Sequence, residues 1–208
     1  MPPADFLISA FVTLVVVVDP LGLVPTFIAV TEGLPAAARR QVALRACLIA
    51  AGILAGAVLI GAWLLDALGI GLPAFRIAGG LLLFSIASEM VFGVRIERQA
   101  RQAEQAVEEQ VRNIAAFPLA IPMIAGPGAI TACVLLAGRA GTSLPAHAGL
   151  LAVIVAVLAL TLAVFLFASR VARLIGVTGN IVISRLLGVL LAALAVQFVI
   201  DGVRAAWR

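Results

Sequence analysis

Two short stretches of this chain carry residue types that can do chemistry: Asp19-Pro20-Leu21-Gly22-Leu23-Val24-Pro25 and Ile124-Ala125-Gly126-Pro127-Gly128-Ala129-Ile130-Thr131. Each sets proline and glycine in the middle of an apolar run. Proline lacks an amide hydrogen and clashes with the preceding turn, and glycine loosens the backbone, so a helix unwinds at such a pair. Inside hydrocarbon the freed N–H and C=O groups are costly unless protein or a wet cavity receives them. The chemistry implied is recognition at mid-membrane by two discontinuous helices. Half-helix N-termini after Pro20 and Pro127 would offer amides to a carboxylate, and unwound carbonyls would hold an ammonium or a cation. For either break alone, a proline kink satisfied by neighbouring helices is the competing reading. The matched pair favours a site formed by Asp19, Pro20, Gly22, Gly126, Pro127, Gly128 and Thr131, the last as a hydroxyl donor. Asp19 is then also the seat of a coupling proton or sodium ion.

Other polar residues stand inside or beside apolar runs. Glu89 is the second candidate for coupling, because a carboxylate in a span usually faces the bundle interior, pairs with another group or takes part in a pathway. It lies only about two turns before Arg95, so a hydrated position near the interface is equally open. Arg76 and Arg185 are candidates for gating or phosphate anchoring, with interface snorkelling as the alternative. His147, the only histidine, falls in a short loop and is expected to be solvated. Cys47 and Cys133 lie in apolar segments and serve as small packing residues, with no metal spacing. There is no His-Glu-x-x-His motif, no Gly-x-Ser-x-Gly elbow and no glycine-rich nucleotide loop, so neither an enzyme nor a cofactor is expected.

These residues need elements to position them, and composition says which. Of 208 residues 64% are hydrophobic and 12% charged, with a mean hydropathy of +1.23. Apolar runs recur at the length of about 20 residues that one helical crossing requires, which predicts an all-α polytopic protein embedded in a lipid bilayer. All 14 basic residues are arginines, mostly in short connections, so the formal charge of +4 reports membrane orientation and not nucleic-acid binding. Phe6 to Val18 resembles a signal-peptide core but has no preceding Lys or Arg and no cleavage site after it, so it is expected to be retained. With the continuation to about Thr31 it makes one broken crossing, a re-entrant hairpin being the alternative. Further spans are expected at Val42 to Leu65, Phe75 to Phe92, Ala115 to Ala137 and Ala148 to Ala168, with a sixth from after Asn180 to Asp201. Gly52, Gly56 and Gly61 form a small-residue stripe expected to pack inside the monomer in preference to a dimer seam, although a homo-oligomer stays open.

The chain also repeats itself. At an offset of 109, Arg76 falls on Arg185, Gly79 on Gly188, and Gly93-Val94-Arg95 on Gly202-Val203-Arg204; at 107, Pro20 falls on Pro127. Residues 1–93 and 114–208 are thus two three-helix repeats, joined by a polar cytoplasmic linker at 94–113. That linker mixes arginines with glutamates at helical spacings, such as Glu97 with Arg101 and Glu108 with Arg112. An odd number of spans per half makes the repeat inverted, with the broken helices in symmetric positions. If the N-terminus lies outside, Arg39, Arg40, Arg45, Arg95, Arg98, Arg101, Arg112, Arg170 and Arg173 lie inside. Arg76, Arg139, Arg204 and Arg208 then lie outside, and Arg185 is ambiguous near the start of its span. This bias predicts a multi-pass protein of the cell (inner) membrane with both termini outside the cytoplasm.

The blocks Asp19 to Pro25, Phe75-Arg76-Ile77-Ala78-Gly79-Gly80, Pro118 to Thr131 and Ser184-Arg185-Leu186-Leu187-Gly188 resemble those of the MarC family of integral membrane proteins, in the family's order and over nearly the whole chain. Members commonly carry Asn where this chain has Asp19, so a titratable group is added here. The resemblance implies an organisation similar to the lysine-exporter-type superfamily, and a branch of neutral amino-acid transporters suggests a substrate class. The first reading is therefore a secondary transporter that moves a small-molecule solute, a neutral amino acid, by alternating access around a mid-membrane site. An exporter of drugs or other metabolites ranks lower, because aromatic residues make up only 6% of the chain and large apolar ligands usually meet aromatic-lined pockets. A non-transporting membrane scaffold is the third.

Overall fold

The computed structural model describes residues 4–108 and 113–207, and these are helical with no strand among the described residues. The helices are α1 (Ala4–Val18), α2 (Val24–Val30), α3 (Ala36–Ala67), α4 (Leu72–Phe92), α5 (Val94–Glu108), α6 (Pro127–Ala140), α7 (Leu144–Leu166) and α8 (Ala168–Ala206). An irregular π-type segment, Ala115–Ile124, precedes α6. Four helices, α3, α4, α7 and α8, are long and apolar enough to cross a membrane. The irregular segment and α6, bent by 55°, make a fifth crossing if counted as one broken span. The expected first crossing, broken between Phe6 and about Thr31, falls on α1 and the seven-residue α2 and is not among these spans: α1 has 15 residues, rising about 22 Å against a hydrocarbon core of about 30 Å.

Several boundaries differ from expectation for local reasons. Pro35 caps α3, so Arg39, Arg40 and Arg45 lie on the first turns of that helix and not in a loop. Ser143 precedes α7, which places His147 in its first turn, with Nδ1 3.1 Å from the Ser143 carbonyl. The stretch Ala168–Ala206 is two helices joined at a non-helical Gly176 (φ +65°, ψ 175°), a backbone conformation that glycine alone adopts readily, so the last long helix starts just after Gly176, a few residues before the expected start beyond Asn180. The expected Glu108–Arg112 pairing, Glu109 and Arg208 lie outside the described residues.

Packing follows from small residues. The most extensive helix pair is α4 with α8. A Cβ added to Gly80 would stand 2.7 Å from the Ala195 carbonyl, one on Gly188 3.1 Å from the Ala87 carbonyl, and one on Gly202 2.9 Å from the Pro73 carbonyl. Residue numbers rise along one helix as they fall along the other, so the pair is antiparallel, and the obstructing atoms are backbone that no rotamer change can move. Helix α6 also runs antiparallel to α4: Gly128 meets Ile86, Gly79 meets Thr131 and Leu135, and Gly138 meets Leu72. The stripe on α3 divides. Gly61 packs on Val134 of α6, whereas Gly52 and Gly56 face open space. Beneath the α2–α7 contact, Phe27 and Phe165 stack with centroids 4.4 Å apart. Large apolar side chains such as Leu48, Trp63, Leu81 and Leu186 point outward, a surface suited to lipid and not to water.

Candidate functional site

At the first break, the α-helical course of α1 ends because Pro20 has no amide to donate and Asp19 takes a positive φ of 53°. The chain then turns over residues 19–23 into α2, which starts at Val24, several residues beyond Pro20. A continuous helix would send the Gly22 amide to the Val18 carbonyl. Instead it donates to Asp19 Oδ1 at 3.1 Å. Gly22 has to be glycine, since a Cβ there would overlap the Asp19 carboxylate. Asp19 Oδ2 accepts from Ser184 Oγ of α8 at 3.4 Å, and the residue is only 2% exposed.

Among the carbonyls freed at this break is that of Val17, and Arg95 takes it. Arg95 Nη2 donates to Val17 O at 3.0 Å, and Nη1 lies 3.1 Å from Met90 Sδ. A guanidinium at a helix C-terminus complements both the free carbonyl and the negative end of the dipole. Arg95 is 6% exposed, and Asp19 is its chief attractive charge. The residue therefore belongs to the first break, although it lies far along the chain on α5. That helix is not solvated on all sides. Arg95, Gln99 and Ala103, spaced i, i+4 and i+8 on one stripe, are buried against the bundle, while Glu97, Arg98, Arg101 and Glu104 are exposed.

The second break is built otherwise. Phe117 and Ile121 have extended backbone, so the segment before α6 is looped and not helical. The Ala125 amide closes it on Ala120 O at 2.8 Å. A Cβ on Gly126 would overlap the Pro122 carbonyl, so glycine is required there too. Helix α6 then starts with Pro127 in its first turn, and its first intrahelical bond runs from the Ile130 amide to Gly126 O at 3.0 Å. The amides of Gly128 and Ala129 have no intrahelical partner, as at any helix start.

The two breaks meet. A Cβ built on Gly128 would stand 3.3 Å from Val17 Cγ1, and Gly128 also abuts Ile86 and Leu83 of α4. Beside this junction lies a cavity of about 310 Å³, lined by Val17, Gly126, Pro127, Gly128 and Ala129 together with Arg95, Gln99, Ser85 and Glu89. Glu89 is at its edge, where Oε1 accepts from Arg98 Nη1 at 2.9 Å and Oε2 lies within ion-pair distance of Nη2. The cavity thus combines a helix N-terminus and a buried guanidinium, both suited to a carboxylate, with a carboxylate suited to a cation.

Of the residues singled out in the sequence, Gly126, Pro127, Gly128 and Glu89 line this cavity. Asp19, Pro20 and Gly22 do not: the Asp19 carboxylate is sealed near Arg95. Thr131 is buried one turn further along α6 with its methyl toward Gly79 of α4. Arg76 and Arg185, equivalent in the repeat, differ in setting. Arg76 is half-buried beside Arg139, Asp201 and Arg204 at the far end of α4, and Arg185 is exposed. Arg95, Gln99 and Ser184 are the polar residues that sequence reasoning missed. The signal available for Arg95 in the sequence was its alignment with Arg204 at the 109-residue offset.

A model of MarC family integral membrane proteins matches residues 4–207. The chain belongs to the MarC family. A UPF0056 membrane protein of Methanocaldococcus jannaschii is 37% identical over 202 residues, covering 97% of this chain and 98% of that one. UPF0056 membrane protein YhcE of Escherichia coli is 34% identical over 197 residues, 93% and 90% of the two chains. YvbG of Bacillus subtilis is 34% identical over 202 residues, 96% and 95%. No solved structure matches this MarC protein. With the crossing helices above, the family places the chain in a membrane as a multi-pass integral protein.

Proposed function

We propose that this MarC protein is a secondary transporter of a small polar solute, a neutral amino acid, with alternating access around the junction of its two breaks, and that it is not an enzyme. The observation that carries the reading is the cavity at that junction. The α6 N-terminus and Arg95 offer amide and guanidinium donors for a substrate carboxylate, and Glu89, on release from Arg98, offers an acceptor for the ammonium. A free zwitterion has both ends, at about the spacing that one small cavity can span. At about 310 Å³ the space sits at the bottom of the range of roughly 300–1,000 Å³ for drug-sized ligands, which favours a small solute over bulky compounds. Asp19 is the candidate coupling site through its electrostatic attraction for Arg95: protonation, or a cation bound beside it, would loosen Arg95 from the Val17 carbonyl and alter the cavity wall. The antiparallel packing of α4 on α8, which the sequence repeat equates, supports an inverted repeat. The concentration of Arg39, Arg40, Arg45, Arg95, Arg98, Arg101, Arg170 and Arg173 toward one end supports a cytoplasmic cavity mouth with both termini on the other side.

The test is a thermal-stability screen of the purified protein in detergent against amino acids, small metabolites and drugs, with and without sodium and across pH. A solute held at 100 times its dissociation constant adds about 2.7 kcal/mol. A shift with a neutral amino acid, weakened in Asp19→Asn, is the expected result. A shift confined to drugs would favour the exporter reading. Silence from all of them in folded protein would favour a scaffold.

A further inference from the structure

At the end of the bundle remote from that cavity, α4 begins and α6 and α8 end around a second space of about 420 Å³, lined by Arg76, Arg139, Asp201, Arg204 and Ala205. Asp201 is already engaged: Oδ2 accepts from Arg139 Nη2 at 2.8 Å and Oδ1 from Gln197 Nε2 at 2.7 Å. Arg139 is held further by the Phe198 ring, 4.4 Å below its guanidinium carbon. Arg76 Nε is buried and has no hydrogen-bond partner. Gly202 lets Arg76 come this close, since a Cβ there would stand 3.1 Å from Arg76 Cβ. Three guanidiniums face one carboxylate. The C-termini of α6 and α8 each add roughly half a negative charge, which leaves about one positive charge unbalanced. Trp207, which ends α8 and is 87% exposed, marks the level at which tryptophans sit between lipid and water.

We propose that Arg76, Arg139 and Arg204 bind a phosphate-type monoanion here, independently of the solute cavity. Guanidiniums match phosphate oxygens bidentately, and a single unbalanced charge fits a phosphodiester or a singly charged phosphate. Two sources have this chemistry, the headgroup of an anionic phospholipid and free phosphate.

The experiment measures thermal unfolding of the full chain in neutral detergent at low, matched ionic strength. One arm titrates inorganic phosphate against chloride, and the other phosphatidylglycerol against phosphatidylcholine in mixed micelles. A probe at 100 times its dissociation constant raises the folded-to-unfolded ratio about a hundredfold, and Arg204→Gln should lower the probe's affinity at least tenfold. Arg204 is exposed, so this variant is expected to fold; Arg76→Gln is the second. A variant-sensitive shift with phosphatidylglycerol alone assigns the site to a lipid headgroup, and one with phosphate as well assigns it to the free anion. No shift with either probe, or a shift of full size in Arg204→Gln, overturns the proposal.

Discussion

The two breaks face the same physical demand, freed backbone groups in an apolar interior, and meet it by different means. At the first, charged side chains take the backbone: Asp19 receives the Gly22 amide, and Arg95 receives the Val17 carbonyl. At the second, the chain satisfies itself through the Ala125–Ala120 closure and an extended segment, and the start of α6 is left facing a cavity. One break is closed and held by charge; the other is open and presents donors. Two breaks with similar sequences thus end differently, one sealed by side chains and the other facing a cavity.

The largest expected effect tests the anchor. Arg95→Gln should destabilise the protein by about 3 kcal/mol or more, because the Val17 carbonyl loses its charged donor and the buried Asp19 carboxylate loses its chief opposing charge. Asp19→Asn in the same background should restore part of that. Chemical denaturation of both variants and the double variant measures it, and simple additivity would mean that the two charges do not act together.

Next come the required glycines. Gly126→Ala drives a methyl into the Pro122 carbonyl, which is backbone, and should sit near the top of the 1–3 kcal/mol range of about that size for overpacking. Gly22→Ala meets a carboxylate that can rotate, and should sit near the bottom. Thermal melts of the pair give the order, and the reverse order would show that the Asp19 cradle is the more rigid of the two.

Glu89→Gln separates binding from stability. Its ion pair with Arg98 is partly exposed, the side chains retaining 25% and 50% of their surface, so its loss should cost less than about 1 kcal/mol. Affinity for a neutral amino acid should nevertheless fall at least tenfold, about 1.4 kcal/mol, as read by titration calorimetry. The smallest effect belongs to Arg185→Gln. With the side chain exposed on α8, melting should change by less than about 0.5 kcal/mol.

Much of this was legible in the sequence because proline, glycine and apolar run length act locally. Both breaks and the long apolar helices follow from such rules, whereas of the small-residue stripe on α3 only Gly61 meets a neighbouring helix, because a run of glycines does not say which face is covered. Arg95 did not, because a charge-rich stretch such as 94–113 suggests solvent and only the tertiary fold shows which stripe of α5 is covered. The same limit applies to Thr131, whose position on α6 was clear while the face it turns to α4 was not. Arg76 and Arg185 align in the repeat, but an alignment carries no information about which neighbours each meets. The short helix from Ala168 to Gly176 was not foreseen, because Arg170 and Arg173 read as a connection and Gly176 as a breaker, which it is.

Counterflow is the most direct test of the proposed passage of solute through the junction of the breaks. Proteoliposomes loaded with unlabelled alanine are diluted into a trace of labelled alanine, beside Glu89→Gln and protein-free vesicles. Transient accumulation of label by the unsubstituted protein, much reduced in Glu89→Gln, is the predicted result. Uptake no greater than in protein-free vesicles, across a panel of neutral amino acids and with folded protein in the membrane, would contradict it.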